Sequence, residues 1–348
     1  MAPKIFAWVF PINFLSQLTG ASGYIGGTAL DVIIKAHPEY EIAALVRNPE
    51  KAVAVTKKYP NVRIISGDLD SGPLIEEESS KADIVLHFAD CDHVASAKSI
   101  VAGLGKRTTP SYLIHTSGSA ILANLNLASE FGKAASDKIY DDIDDVQEIT
   151  SLPESGHLHR DVDSIVIGAN SDTVKTAIVC PPTIYGPGSG SGSIRSNQVP
   201  ELTRCTLKCG QAFQVTNGAT IWNNVHVQDL ANLYLLLTEE AARPDGKKTT
   251  WGPEGYYFAE NGEHTWGELA KKIAKKAKAK GYLKTDEVIS LPNEEVIKHH
   301  PFGHILWGTN SRGWASRARK FLGWEPKGAP LDETLDDVIE LEAKALGL

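Results

Sequence analysis

Gly20, Gly23 and Gly26 stand at three-residue intervals in "LTGASGYIGG", and this spacing suits the binding of a pyrophosphate. The first glycine allows a tight turn off a strand. The second lets backbone N–H groups approach the phosphates. The third lets a following helix pack on a sheet, and the N-terminus of that helix favours negative charge. A second group of residues adds to this chemistry. The strand pattern "EIAALV" runs into Arg47, where an acid would ordinarily accept hydrogen bonds from the ribose hydroxyls of NAD. A guanidinium there can instead fork onto a 2′-phosphate. The pair of signals points to NADP, with NAD the less favoured cofactor.

These residues need elements to position them. "EIAALV" (41–46), "VRIIS" (62–66), "DIVLHFA" (83–89), "YLIHTS" (112–117) and "KTAIVC" (175–180) are short runs rich in Ile, Val and Leu. Such runs suit parallel strands buried on both faces. Between them "GGTALDVIIKAH" and "VASAKSIVAGL" repeat apolar residues at three- and four-residue steps, as helices do. Alternation of strand and helix predicts an α/β fold, a doubly wound parallel sheet of Rossmann type with a smaller C-terminal α/β substrate lobe. The expected division is 1–190 plus 220–258 for the dinucleotide-binding domain and 191–219 plus 259–348 for the lobe. "GPGSGSGS" (186–193) marks the change of texture, as a loop able to act as a lid. "HTWGEL" predicts a capping box between Thr265 and Glu268.

The start of the chain is irregular. "KIF" would begin the first strand, yet Ala7 to Gln17 separate it from the glycine turn, with Pro11 among them. The stretch left beside the turn is "NFLSQLT". It would place Ser16 and Gln17 in a central strand, where an unpartnered buried amide costs about 1–3 kcal/mol. The segment reads as an insertion.

Composition narrows the class. The chain has 348 residues, 42% of them hydrophobic, and a formal net charge of −8. That balance argues against nucleic acid, which needs clustered cations. The basic run Lys271–Lys284 reads as the solvated face of an amphipathic helix. The four cysteines lack metal-type spacing, and His299, His300 and His304 read as an ordinary loop, so no metal is expected. No segment approaches the roughly 20 apolar residues of a spanning helix, and a cytoplasmic protein is expected. The expected partner is a small-molecule substrate, with no nucleic acid and no membrane; a homodimer stays open.

"TGASGYIGG", "SGDLD", "HTSG", "PPTIYGPG" and "WNNVHVQDLANLY" occur in this order. Together they make the chain resemble the extended short-chain dehydrogenase/reductase superfamily, near its fungal NAD-dependent epimerase/dehydratase-like members. The resemblance runs from Leu18 to about Trp324. It implies phosphate contacts from Gly20, Ser22, Gly23, Tyr24, Ile25 and Gly26. It also implies Asp68 and Leu69 at the adenine, Ala89 at the nearby ribose, and Pro181, Pro182, Thr183 and Ile184 at the nicotinamide. On the substrate side it implies Asn197, with Trp222 and Asn223 as pocket walls. Members of this superfamily use a Tyr as acid/base, a Lys four residues later, and a Ser or Thr that polarises the substrate oxygen. Ser117 matches the Ser. None of the ten tyrosines has Lys four residues on. By spacing to "PPTIYGPG", His159 falls at the Tyr position and Asp163 at the Lys position. A carboxylate one turn away would orient the His and raise its pKa.

Three readings follow. The first is an NADP-dependent oxidoreductase acting on a small carbonyl or alcohol, with the Tyr–Lys pair replaced. The second is a catalytically silent NAD(P)-binding sensor or scaffold. The third is a sugar-nucleotide epimerase or dehydratase, which comes last because it needs the absent Tyr.

Overall fold

The computed structural model describes residues 15–134, 137–243 and 250–348. Its centre is a sheet of seven parallel strands. In chain order these are β1 (Leu15–Thr19), β2 (Glu41–Val46), β3 (Arg63–Ser66), β4 (Ile84–His87), β5 (Ser111–Thr116), β6 (Val174–Cys180) and β7 (Tyr256–Phe258). Across the sheet they lie in the order β7-β6-β5-β4-β1-β2-β3. The order reverses between β1 and β4, and ligands of such sheets bind at the strand ends beside that reversal. The apolar runs therefore became strands within a residue or two of their expected bounds, and the α/β class holds.

β1 is the strand that presents the glycine turn. Of the surplus stretch Ala7–Gln17, the part up to Phe14 lies outside the described residues. Ser16 and Gln17 do lie in the sheet centre, 2% and 1% exposed. The Gln17 carbonyl oxygen accepts a hydrogen bond from the Ser79 hydroxyl at 2.7 Å. Gln17 Nε2 and Ser16 Oγ are buried with no partner among the described residues. β1 thus keeps its register with β2 and β4 while carrying polar atoms that a run of Val and Leu would not.

Gly23 caps the helix Tyr24–Ala36, whose buried face includes Ala29, Leu30 and Ile33 and packs against the helix Val227–Ala242. A second core lies around Trp266, Trp307, Leu335 and Ile339, and it joins the helices Gln198–Cys209, Trp266–Ala279 and Leu331–Leu346. A three-stranded sheet of Thr183–Tyr185, Ile221–His226 and Glu263–Thr265 carries the chain between the two cores. The basic run is the outer face of the Trp266–Ala279 helix, continuing past its end, as expected. Its lysines meet acids on the C-terminal helix: Lys272 with Asp332 at 2.5 Å, Lys276 with Asp336 at 2.5 Å and Lys280 with Glu340 at 2.7 Å. Acids at four-residue steps answer lysines at four-residue steps, so the run is already paired within the lobe. The expected capping box does not form. Thr265 is the N-cap but its side chain makes no capping bond, and Glu268 pairs with Lys271 at 2.7 Å.

Candidate functional site

Two clefts open along the carboxyl ends of the strands and meet at the glycine turn. The first, of about 410 Å3, is lined by Gly20, Ser22, Arg47, Asp68, Leu69 and Ala89, along with Asn48, Lys51 and His93. The second, also of about 410 Å3, is lined by Gly23, Tyr24, Ile25, Pro181, Pro182, Ile184, Asn197 and Trp222, along with Phe88, Gly118, Ser119 and Arg195. The expected adenine-side residues thus gather in one cleft, and Pro181, Pro182, Ile184, Asn197 and Trp222 of the expected reaction-side residues in the other.

The turn itself fits a dinucleotide. Gly20 has a φ of +75°, and a Cβ there would meet the Phe88 backbone at 2.8 Å. Gly26 lines neither cleft. A Cβ on it would strike the Gly20 carbonyl at 2.5 Å, so its part is close packing of helix on turn. The first turn of the Tyr24–Ala36 helix carries no acid, which leaves its N-terminal dipole free for an anion. Arg47 is exposed at the end of β2 and has no ion pair among the described residues. Asp68 is occupied locally. Its carboxylate accepts from the Asp70 N–H at 3.2 Å and from the Ser71 hydroxyl at 2.8 Å, and these bonds hold it below its ordinary pKa.

The Gly/Ser loop packs on the turn and the first helix. Ser193 N donates to Ser22 O at 3.1 Å, Ser189 N to Thr28 Oγ1 at 3.3 Å, and the Tyr24 hydroxyl to Gly186 O at 2.5 Å. Lys58 donates to Ser189 O. A Cβ on Gly190 would lie 2.7 Å from Gly27 Cα, so only glycine allows this approach.

On the reaction side three expectations change. Ser117 is buried but does not line the cleft; its hydroxyl faces the interior near Asp163 and Cys180, with no well-formed hydrogen bond of its own. The wall carries the hydroxyls of Tyr24, Ser196 and Ser119; Ser119 stands two positions on from Ser117, with its Oγ 2.8 Å from Ser311 Oγ. The alternation along β5 ends at Thr116, and the turn that follows carries Ser119 round to the cleft, which strand periodicity does not reveal. Asn223 is likewise not a wall. It neighbours Trp222 on a strand, so the two side chains point to opposite faces. Its Oδ1 accepts from Gly313 N at 2.6 Å and its amide reaches Gly262 O at 3.4 Å, which ties the lobe together. Thr183 is fully buried and also lines neither cleft.

His159 and Asp163 sit one turn apart but face different partners. His159 is the N-cap of the helix Arg160–Gly168, at a φ of +67° that is unusual for a residue other than glycine. Its Nδ1 lies 2.6 Å from Asp92 Oδ1 and 3.3 Å from Cys91 Sγ. Its Nε2 comes within 2.9 Å of where a Cβ on Gly118 would stand, so the ring packs on the reaction-side wall. Burial pulls the pKa of His159 down, but the bonds to Asp92 and Cys91 outweigh it and raise the imidazole to about 10. Asp163 instead accepts the Tyr256 hydroxyl at 2.7 Å and is fully buried. Burial pushes its carboxyl up to about 6, against the pull of the Tyr256 and Ser117 hydroxyls. The carboxylate that orients His159 is therefore Asp92, not Asp163. Sequence reasoning missed Asp92 and Cys91 because they lie 67 and 68 positions from their partner. It also missed Arg195, the one charged residue on the reaction-side wall, which is held by Glu342 at 2.6 Å and Glu201 at 2.9 Å.

The histidine cluster serves packing. His299 Nδ1 lies 3.2 Å from Cys209 Sγ, and its ring stacks on Phe213. Among the described residues no helix is long and apolar enough to cross a membrane.

Comparisons place this architecture. The model of the NAD dependent epimerase/dehydratase family matches residues 17–250. Oxidase ucsJ of an Acremonium species is 37% identical, with all of both chains covered. The protein YLL056C of Saccharomyces cerevisiae is 23% identical over 91% of this chain and 96% of its own. Among solved structures, a dTDP-glucose 4,6-dehydratase from Bacillus anthracis in complex with NAD superposes with a TM-score of 0.67. It is 14% identical, and the match covers 95% of this chain and 97% of that one. A UDP-glucose 4-epimerase from Thermotoga maritima with UDP-glucose gives 0.64 at 16% identity, covering 95% and 99%. With the reversed strand order, the glycine turn and the two clefts that flank it, the chain belongs to the NAD dependent epimerase/dehydratase family, within the extended short-chain dehydrogenase/reductase superfamily.

Proposed function

We propose that the protein is an NADP-dependent oxidoreductase acting on a small, uncharged carbonyl or alcohol. The observation that carries this reading is the pairing of the two clefts about one glycine turn, with unpaired Arg47 at one end and Ser119 at the other. Gly20, Ser22 and Gly23 would hold the pyrophosphate, Arg47 the 2′-phosphate, and Pro181, Pro182 and Ile184 would border the nicotinamide. The nicotinamide, when bound, supplies or accepts hydride. The chain's own part is to hold the substrate oxygen and manage its charge. Ser119 would donate to that oxygen from the cleft wall. His159, with Nδ1 engaged by Asp92 and Cys91, has Nε2 left to donate beside Gly118. Such fixed donors stabilise charge developing on oxygen without reorganisation. Asp163 supports the helix that carries His159, through Tyr256.

The relative named an oxidase agrees with redox chemistry. The reaction-side walls do not favour a sugar nucleotide. Phe88, Ile184, Trp222 and Leu306 are apolar, and the single cation, Arg195, is already neutralised by two carboxylates. A silent cofactor-binding protein is the second reading, favoured by the loss of the Tyr–Lys pair. The test is calorimetry with NADPH and NADH, followed by a panel of small aldehydes, ketones and alcohols. Tight NADPH binding with turnover of a panel member supports the proposal. Tight binding with no turnover across the panel supports the second reading, and equal affinity for NADPH and NADH removes the NADP assignment.

A further inference from the structure

Cys91, Asp92 and His159 form the one group among the described residues whose Cys, His and carboxylate atoms converge as metal ligands do, all within 4.8 Å of one another. The convergence is on a single point. Asp92 Oδ1 and Cys91 Sγ both approach His159 Nδ1, at 2.6 and 3.3 Å. From ordinary zinc–ligand lengths, two tetrahedral ligand atoms stand about 3.3–3.6 Å apart. The Cys91–His159 spacing lies ~0.3 Å below the sulfur–nitrogen end of this range, and Asp92 need retreat by less than ~1 Å. Its side chain is 49% exposed and has room to do so.

We propose that Cys91, Asp92 and His159 bind one zinc ion. The donor set selects the metal. A thiolate and an imidazole suit zinc and not magnesium or calcium, which take oxygen ligands. Three protein ligands leave a fourth position for water, as in zinc sites that do chemistry and unlike closed four-ligand structural sites. The backbone supports the arrangement. Cys91 and Asp92 lie on the turn after β4, two and three residues beyond Ala89 on the adenine-side wall. His159 is turned toward them from a left-handed N-cap, while its ring rests on Gly118 of the reaction-side wall. The three ligands line neither cleft themselves; their chain neighbours Asp90 and His93 line the adenine-side wall. The binding claim stands apart from the proposed reaction, because its test reads metal and not turnover.

The experiment titrates chelator-stripped full-length protein with zinc chloride alone, in calorimetry. One equivalent should bind with a Kd of about 1 µM or tighter. Cys91→Ser should weaken it by at least about 100-fold and Asp92→Asn by about 10-fold. Cobalt in place of zinc should give a near-ultraviolet thiolate-to-metal charge-transfer band that Cys91→Ser removes. Circular dichroism and NADPH affinity check that each variant is folded. The proposal is overturned if the folded wild-type chain takes up no stoichiometric zinc. It is equally overturned if Cys91→Ser binds zinc as wild type does, or if binding is lost on His299→Gln and His300→Gln instead.

Discussion

The two clefts that meet at the glycine turn gather the residues expected of them to very different degrees. On the adenine side, Gly20, Ser22, Arg47, Asp68, Leu69 and Ala89 all line one cleft. On the reaction side, His159 and Asp163, which the spacing puts at the Tyr and Lys positions, part company: one is bonded to the turn after β4 and the other is buried against Tyr256. Binding a dinucleotide depends largely on backbone, on glycines and on helix ends, which any side-chain chemistry can accompany. Moving a proton depends on one atom at one place. The proposed function asks the first of the glycine turn and the second of Ser119 and His159.

The largest expected effect tests whether the clefts share the turn. Gly23 has an ordinary φ, and a Cβ on it meets only the Gly20 carbonyl, at 3.1 Å. Gly23→Val should therefore fold, yet its side chain would stand in the phosphate path. NADPH binding should become undetectable in calorimetry while the melting temperature stays close to wild type. Normal NADPH binding would move the phosphates away from this turn.

A smaller effect, confined to the reaction side, separates Ser119 from Ser117. Ser119→Ala should lower kcat at least about 100-fold, the cost of one lost oxyanion donor, with NADPH affinity unchanged. Ser117→Ala should leave kcat within about threefold, since its hydroxyl faces Asp163 and not the cleft. The reverse ranking, measured with any carbonyl that is turned over, would restore Ser117 as the polarising group. On the adenine side, Arg47→Ala should erase a preference for NADPH over NADH of about tenfold, worth ~1.4 kcal/mol. If the variant keeps the preference, the 2′-phosphate is read elsewhere, with Lys51 of the same wall the next residue to test.

How much was legible in the chain follows the same division. Strands β2, β4, β5 and β6 were readable because both faces are buried, so each is rich in apolar residues, while the edge strand β3 was readable from Ile64 and Ile65. The adenine side was readable because its residues lie at fixed short distances from strand ends. Ser119 was not, because a single turn after β5 decides which hydroxyl reaches the cleft. Asn223 was misplaced by one residue of alternation beside Trp222. Cys91, Asp92 and His159 were invisible as a group, because spacing arithmetic finds ligands close in the chain and these converge only through the packing of the Arg160–Gly168 helix beside the turn after β4.

The smallest effect concerns β1, where the sheet carries a burden that neither cleft needs. Ser16 Oγ and Gln17 Nε2 are buried without partners among the described residues, between β2 and β4. A buried polar atom without a hydrogen bond loses its water and gains nothing in return, at a cost of about 1–3 kcal/mol. Replacing it with an apolar group of similar or smaller volume removes that cost. Ser16→Ala should therefore raise the melting temperature by roughly 1–2 °C, as about 1 kcal/mol does in a chain of 348 residues. Gln17→Met keeps the length of the side chain and should act in the same direction but by less. It leaves the Ser79 hydroxyl without its 2.7 Å acceptor, and that hydroxyl must turn back to its own helix. Neither change touches the glycines, so NADPH affinity should hold. A fall in melting temperature for Ser16→Ala would mean that its hydroxyl is satisfied in the folded protein, by a water or by the chain before Leu15. The segment ahead of the turn would then be an integrated part of the sheet and not an insertion the fold tolerates.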